Sequence, residues 1–359
     1  VCDMVPLTGV NRLLVRQGFQ IMRQTGNVGL RALIDVSRIN GDPNTYHAGF
    51  MLGPRINAGS RVHRSDLGAR LLVTEDAEEA KNIAWTLHDC NEQRKSLQAQ
   101  MEAEAVQKVE QGTHADDPVI LVDGADWHTG LSGLVAGRLK DKFGKPACVI
   151  AYVENEQGGR EARGSGRSVP GVHIAEAFIA ARQEGLLEKG GGHAMAGGFT
   201  MQPEKMEEFR AFLNAHIGAQ LESSKANVVT AIDGLMTVQG ARAAFIRMLQ
   251  EQVGPFGQDF PEPLFLFQNV RLHSADVVGE SHVRVMISDW EGGTRLKAMA
   301  FRAVGTPLGD ALLKSGRAAF HLLGHIKLDT WNGQERVELH IRDAALAVAQ
   351  DADLERLAL

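Results

Sequence analysis

The chain has 359 residues, 44% of them hydrophobic, and a formal net charge of −6 at pH 7. That is enough chain for two or three domains with buried cores, and no stretch approaches the roughly 20 apolar residues of a membrane helix. Cys2, Cys90 and Cys148 lie too far apart for a C-x-x-C zinc pair or a disulfide framework; they fit a reducing cytoplasm, each as a small buried or half-buried side chain.

The net charge conceals an uneven distribution. Residues 1–74 hold nine Arg and no Lys against four acids, whereas residues 75–111 hold four bases against nine acids. An arginine-only excess suits forked contacts to phosphate, although it also describes a solvated face. The chain opens on Val1, and Asp3, Pro6 and Arg12 replace the basic start and apolar run of a secretory leader, so it reads as a fragment or a processed product. Asp3 sits at a strand end before a Pro-led turn, a place for a metal-ligating carboxylate or for a turn-capping Asp.

Residues 1–70 read as α/β. Leu14, Val15, Gly18, Phe19 and Met22 predict a helix from Asn11 to Arg23; a second spans Gly29 to Arg38, and Gly41-Asp42-Pro43 breaks the chain. Leu52-Gly53-Pro54-Arg55-Ile56-Asn57-Ala58-Gly59-Ser60-Arg61 sets two Arg and one Asn among small or turn-forming residues. Its glycines permit close approach to a ligand and Arg55 and Arg61 can grip phosphate beside Asn57; a plain loop with surface arginines is the alternative. From residue 75 to 111 a narrow stripe of Ile83, Ala84, Leu87, Leu97, Met101 and Ala105 predicts one polar helix about 50 Å long, capped by Thr74 or Asp76, of the kind that bridges domains.

Strand, helix and strand follow at Val119–Val122, Leu131–Phe143 and Ala147–Val153, which predicts a parallel sheet with crossover helices. Trp127-His128-Thr129-Gly130 lies at the C-terminal end of the first strand, where open α/β sheets take their ligands, so His128 is a candidate. Gly164-Ser165-Gly166-Arg167-Ser168 reads as a turn before a helix starting at Pro170. Its amides, Ser165, Arg167 and Ser168 would make an anion site, with an ordinary flexible turn as the alternative; it lacks the G-K-[ST] ending of a P-loop. Gly190 to Gly198 places five glycines around His193, a run that demands close backbone packing or a ligand and makes Gly192 and His193 candidates. A helix at about 203–217 closes this unit.

A polar linker at 223–227 precedes five alternating stretches, Leu264–Leu272, His282–Ser288, Leu296–Phe301, Ala319–Leu328 and Arg336–Ile341, with hairpin turns at 289–293 and 330–333 and a helical insert at about 305–314. This pattern predicts a small closed barrel of the OB type. Trp290, Phe301 and Trp331 are candidate stacking platforms, with Arg284, Lys297, Arg302 and Lys327 near them in sequence. Thirteen acids against twelve bases over 228–348 give no basic footprint, and barrel aromatics also serve as core.

The order of these motifs resembles the RecJ-type exonucleases of the DHH phosphoesterase superfamily. Val1-Cys2-Asp3-Met4-Val5-Pro6-Leu7 resembles the fourth DHH motif, and the segment from Leu52 to Arg61 resembles the R-[IL]-N-A-x-G-R segment. Trp127 to Gly133 resembles W-H-x-G-v-x-G. GSGRS and GGHAMAGG resemble the two signatures of the DHHA1 domain, and Gly254-Pro255-Phe256-Gly257 with Phe260-Pro261-Glu262-Pro263 resembles the lead into the OB domain. The likeness runs over nearly the whole chain.

The resemblance implies an α/β multidomain protein: residues 1–72 as the remnant of a DHH domain, 73–112 as a connecting helix, 113–222 as a DHHA1 substrate-binding domain and 228–348 as an OB domain. It implies single-strand-specific 5′→3′ DNA hydrolysis in repair and recombination at a site of two Mn²⁺ or Mg²⁺ ions, Asp3 being one ligand. Arg55, Arg61, Ser165, Arg167 and His193 would hold the DNA end and its 5′-phosphate. Asn57, His128, Ser168, Gly192 and Trp331 would line the nucleic-acid path. A single-strand-binding protein and a helicase are family partners, and a cytoplasmic monomer is expected. The D-x-D-x-D, second Asp and D-H-H motifs are absent, so no catalytic set is intact and this polypeptide alone is expected to be inactive. Leu131-Ser132 and Ser60 are smaller departures. The competing readings are an oligoribonuclease or cyclic-dinucleotide phosphodiesterase of the superfamily, a non-catalytic single-strand-binding protein, and a synthetase-type DHHA1 tail.

Overall fold

The computed structural model describes residues 1–2, 5–24, 26–154, 158–223, 230–314, 318–329 and 335–347. Asp3, Trp331, the turn at 330–333 and most of the polar linker lie outside the described residues. In chain order the elements are α1 (Gly9–Met22), α2 (Val28–Val36), α3 (Gly53–Val62), α4 (Leu67–Val73), α5 (Ala77–Gln111), β1 (Ile120–Gly124), α6 (Thr129–Phe143), β2 (Ala147–Glu154), β3 (Arg160–Arg167), α7 (Ile174–Gln183), β4 (Lys189–His193), β5 (Ala196–Met201), α8 (Met206–Ser223), β6 (Gly234–Leu235), α9 (Ala243–Met248), β7 (Phe265–Val278), β8 (His282–Ser288), β9 (Arg295–Ala300), α10 (Pro307–Lys314), β10 (Ala319–Asp329) and β11 (Arg336–Leu346). They form two compact units, Thr25–Gly41 with Gly49–Val228, and Val1–Gln24 with Asp42–Ala48 and Val229–Leu359.

The first unit is built on α5. Asp76 caps it by accepting from the Glu78 and Glu79 amides, with both acids at the positive end of the helix dipole. Its predicted stripe is buried at Ile83, Ala84, Leu87, Met101 and Ala105. The segment from Gly53 to Arg61 is not a loop but helix α3, with Pro54 in its first turn. Gly59 is small because α3 runs close to α5: a Cβ there would stand 3.1 Å from Leu87 Cδ2 and 2.8 Å from the Arg64 carbonyl oxygen. Residues 1–72 are helical wherever described as regular structure, with no strand among the described residues.

The sheet of this unit runs β1-β2-β3-β5-β4. Only β1 and β2, joined through α6, are parallel. The expected parallel sheet is otherwise corrected to antiparallel pairing, because β2 to β3 and β4 to β5 are joined by connections too short for a crossover. One face packs on α5 and α6 through Met101, Leu131, Val135, Leu139 and Val149. The other packs on α7 and α8 around Phe178, Phe199 and Phe209. Burial among these groups pushes the Cys148 thiol up to about 12. Strand β1 forms one edge of the sheet, and the carbonyls on its unpaired side receive Arg210 Nη1 at Leu121 (3.1 Å) and Lys108 Nζ at Asp123 (2.5 Å).

In the second unit β7, β8, β9, β11 and β10 follow one another around a barrel that closes where β10 pairs with β7. The β9–β11 pair is parallel. Alternate residues Val283, Val285, Ile287, Leu296, Ala298, Leu339 and Ile341 fill it. Cys2 is exposed, contrary to the sequence reading, and its thiol donates to the Ala48 carbonyl.

Helix α1 belongs to this second unit and buries none of its residues; Leu13 and Leu14 are 66% and 65% exposed. It is held by side chains, with Arg12 donating to the Gly254 carbonyl and lying 3.9 Å above the Phe260 ring. Helices α2 to α4, by contrast, bury Leu33, Ala58 and Leu71 completely. Hydrogen exchange of the first 72 residues is therefore expected to divide, with α1 amides exchanging far faster than those of α3 and of β2. Uniform slow exchange across α1 and α3 would contradict this packing argument.

Candidate nucleic-acid interface

Helices α5 and α6 cover one face of the sheet over β1, β2 and the near side of β3, and leave the far side open, where a Cβ on Gly191 would meet nothing within 4 Å. Cross-strand register decides what is displayed there. Arg167, Ala196 and His193 stand in one row across β3, β5 and β4, and Ser165, Gly198 and Gly191 in the next. Paired residues in neighbouring strands share a face, as do residues two apart on one strand. Ser165, Arg167 and His193 therefore rise from a floor of Gly and Ala, with about 10 Å between the outer strands. The Ser165 hydroxyl has no hydrogen-bonding partner among the described residues, and His193 is exposed.

The glycines of both signatures lie in strands rather than turns, correcting the nest reading. Gly164 and Gly166 point to the opposite face, where a Cβ on Gly166 would meet Phe178 Cζ and Ile174 Cδ1 at 2.7 Å and one on Gly164 would land inside the Phe199 ring. Gly192 has φ +146° and would direct a Cβ at the Ala196 carbonyl. The hairpin tip is fastened by Ser168 N–H donating to the Met195 carbonyl and Ile174 N–H to Ala194. These glycines serve ring packing and a tight hairpin, and so free the other face of the sheet from side chains.

The arginines converge from three further directions. The Arg167 guanidinium lies against α6 over Gly133, where a Cβ would stand 2.7 Å from Nη2, and donates to the Gly166 carbonyl. Arg61, at the end of α3, donates to the Gly130 carbonyl in the first turn of α6 (2.7 Å). Arg94 on α5 donates to Asn91 Oδ1 and to Gln98 Oε1 (2.7 Å). Burial and then Arg61 lower Arg167 from the usual guanidinium range; burial, Arg61 and Arg138 lower Arg94. Among the described residues Arg61, Arg94 and Arg167 have no carboxylate within salt-bridge reach, and their acceptors are neutral carbonyls, so the cluster keeps its positive charge for an anion.

Arg94 and Asn91 escaped the sequence reading because they sit in a helix crowded with charge. The usable signal was the neutral Asn91 three residues before and Gln98 four residues after an arginine, both on its own face. The other predicted residues are placed differently. Arg55 is buried against α5, donating to the Met51 carbonyl and to His88 Nδ1, and burial lowers its pKa. Asn57 is exposed on α3. His128 caps α6, its Nδ1 accepting from the Gly130 amide. The buried Ser168 hydroxyl donates to the Val172 carbonyl. In the barrel, Arg271 lies 4.7 Å from the Trp290 ring centre, while Lys327, Lys297 and Arg284 pair with Glu262, Glu338 and Asp276.

Among the described residues no group of three or more His, Cys, Asp or Glu is placed to hold a metal ion. Two divalent ions need several carboxylate or imidazole donors around them, so these residues do not fit a two-metal centre. None of the helices among the described residues is long and apolar enough to cross a membrane.

Residues 116–219 match the DHHA1 domain and residues 232–343 the RecJ OB domain. The single-stranded-DNA-specific exonuclease RecJ of Dickeya dadantii is 34% identical over 350 residues, covering 95% of this chain and 59% of that protein. The Bacillus subtilis protein of the same name is 30% identical, covering 99% of this chain and 44% of its own length. The crystal structure of RecJ from Thermus thermophilus in complex with Mn²⁺ superposes with a TM-score of 0.78 at 28% identity, over 97% of this chain and 48% of that one; its Mg²⁺ complex matches equally, at 27% identity. The chain thus spans about half the length of the relatives it matches.

Proposed function

We propose, from the likeness to the RecJ exonucleases over nearly the whole chain, that this chain serves single-strand-specific DNA hydrolysis by seizing the 5′-phosphate end of the strand. The observation that carries this reading is the open sheet face on which Ser165, Arg167 and His193 share a side, beside Arg61 and Arg94 without carboxylate partners. A terminal phosphate carries more charge than an internal one and offers three equivalent oxygens to forked donors. A site that fixes that end sets the direction of cutting as 5′→3′. In this reading residues 1–72 belong with a DHH catalytic domain, residues 113–222 grip the end and residues 228–348 receive the strand behind it. Mn²⁺ or Mg²⁺, when bound at a DHH centre, would supply the activated water; the groups described in this chain bind and orient the strand.

Purified 1–359 is expected to bind a 5′-phosphorylated oligothymidine more tightly than its 5′-hydroxyl counterpart, and to leave both intact with Mn²⁺ present. Equal affinity for the two ends overturns the end-gripping reading. Shortening of the labelled strand overturns the expectation that these residues lack a metal centre.

A further inference from the structure

Helix α5 treats one of its cations differently from its neighbours. Residues 75–111 hold nine acids, and basic groups along the helix use them. Lys95 takes Glu92 at 2.7 Å, and from α6 Lys142 reaches Glu110 at 2.8 Å and Arg138 reaches Glu102 at 3.9 Å. Arg94 meets amides instead. Its Nε and Nη2 both donate to Asn91 Oδ1, at 3.3 and 3.2 Å, and its Nη1 donates to Gln98 Oε1 at 2.7 Å. Residues three before and four after stand on the arginine's own face of the helix, the positions from which a carboxylate would form an ion pair.

These amides hold the guanidinium without neutralising it. Asn91 is 1% exposed, and a buried amide oxygen needs donors, which Arg94 supplies twice. A guanidinium has five N–H groups. Three are engaged here, one from each nitrogen, so one on Nη1 and one on Nη2 are left for an anion. Glu92 is the carboxylate whose charge acts on Arg94, and it is held by Lys95. Burial, Arg61 and Arg138 act the other way and lower the Arg94 pKa. A guanidinium repelled by two others and free to turn would swing toward the acids of its own helix. Neutral acceptors on both sides keep it in the cluster with its charge uncancelled.

We infer that Asn91 and Gln98 are positioning residues for the strand end: they present Arg94 to the terminal phosphate, and their lack of charge is what the site uses. This rests on the end-gripping reading above and adds the residues that keep the cluster open to an anion. A carboxylate at either position would satisfy the guanidinium from within the protein and leave less of its field for the strand.

The test uses the full chain with 5′-phosphorylated and 5′-hydroxyl 20-nucleotide oligothymidine, followed by fluorescence anisotropy. Asn91→Asp and Gln98→Glu keep the shape of each side chain and supply the missing carboxylate. Each is expected to lower affinity for the phosphorylated strand about ten- to a hundredfold, the range of a hydrogen bond to a charged group. Each should also shrink the preference over the hydroxyl strand and hold or raise the thermal midpoint through the new ion pair. Asn91→Leu, which removes the acceptor without adding charge, should weaken binding less, and should weaken it no further in an Arg94→Ala background, because the amide acts through that guanidinium. Gln98 is half-buried, so Gln98→Glu decides the matter if a charge at Asn91 lowers the midpoint. If the parent prefers the phosphorylated strand and Gln98→Glu keeps that preference in full, or if the losses in Asn91→Leu and Arg94→Ala add, the positioning role is refuted while the end-gripping reading stands. If the parent chain binds both strands equally or neither, the end-gripping reading itself falls, and this role with it.

Discussion

Replacing Arg167 with alanine is expected to abolish the preference for a 5′-phosphorylated strand over a 5′-hydroxyl one, lowering affinity for the phosphorylated end about ten- to a hundredfold. The guanidinium is already positioned, its Nη1 on the Gly166 carbonyl and its fork against Gly133, so little side-chain entropy remains to be lost on binding. It is also held at a price: burial and Arg61 both disfavour its charge. Removing it relieves repulsion in the unliganded protein, so the thermal midpoint should hold or rise while binding falls. That opposition separates a binding role from a structural one. Arg167→Lys keeps a charge but not the fork and should recover only part of the affinity. The salt dependence of binding should flatten by about 0.7 in log–log slope for each phosphate contact removed. Titrations that show the same end preference in Arg167→Ala and the parent would place the phosphate elsewhere.

The second large effect is structural and falls one residue from the site. Gly164→Ala is expected to destabilise the unit that holds the sheet by about 3 kcal/mol, the upper end for overpacking a filled core. The new methyl would enter the space of the Phe199 ring, which is pinned 4.9 Å from Phe178 on one side and 4.9 Å from Phe209 on the other. All three rings are buried, so none can swing away. Trimming the obstructing ring in Gly164→Ala with Phe199→Leu should recover part of the loss, since the two positions share one volume. A glycine needed for a phosphate nest would behave the other way, with stability intact and binding lost. Thermal unfolding and 5′-phosphate binding, measured on the same variant, distinguish the two.

What the sequence made legible follows the range of the forces involved. The stripe on α5 and the alternation of Val283, Val285 and Ile287 record burial within a few residues of chain, and both elements form where that pattern puts them. The glycine motifs were conspicuous but their conformation was not. Glycine in a strand leaves no alternation to read, and the rings that require it are remote in sequence, Phe199 lying 35 residues from Gly164 and Phe178 12 residues from Gly166. At helix α3 the residues Gly53, Pro54 and Gly59 weigh against helix locally, whereas its close approach to Leu87 on α5 favours helix only in the folded chain. Which of the candidate polar residues remain available was likewise a tertiary matter. The Ser168 hydroxyl is used by Val172, and the Arg55 guanidinium by Met51 and His88, while Ser165 stands on the open sheet face and Arg61, though it donates to the Gly130 carbonyl, is only half-buried.

The two cations laid along β1 bear on how copies of this protein meet in concentrated solution. A sheet margin with bare carbonyls is a template on which another chain can add a strand. Here Lys108 comes from α5 and Arg210 from α8, one from each layer flanking the sheet, and each covers one of two successive outward carbonyls. A newcomer would have to displace both charged groups from these carbonyls before forming its first backbone bond. The margin thus resists templated self-association through side chains lent by its own flanking helices.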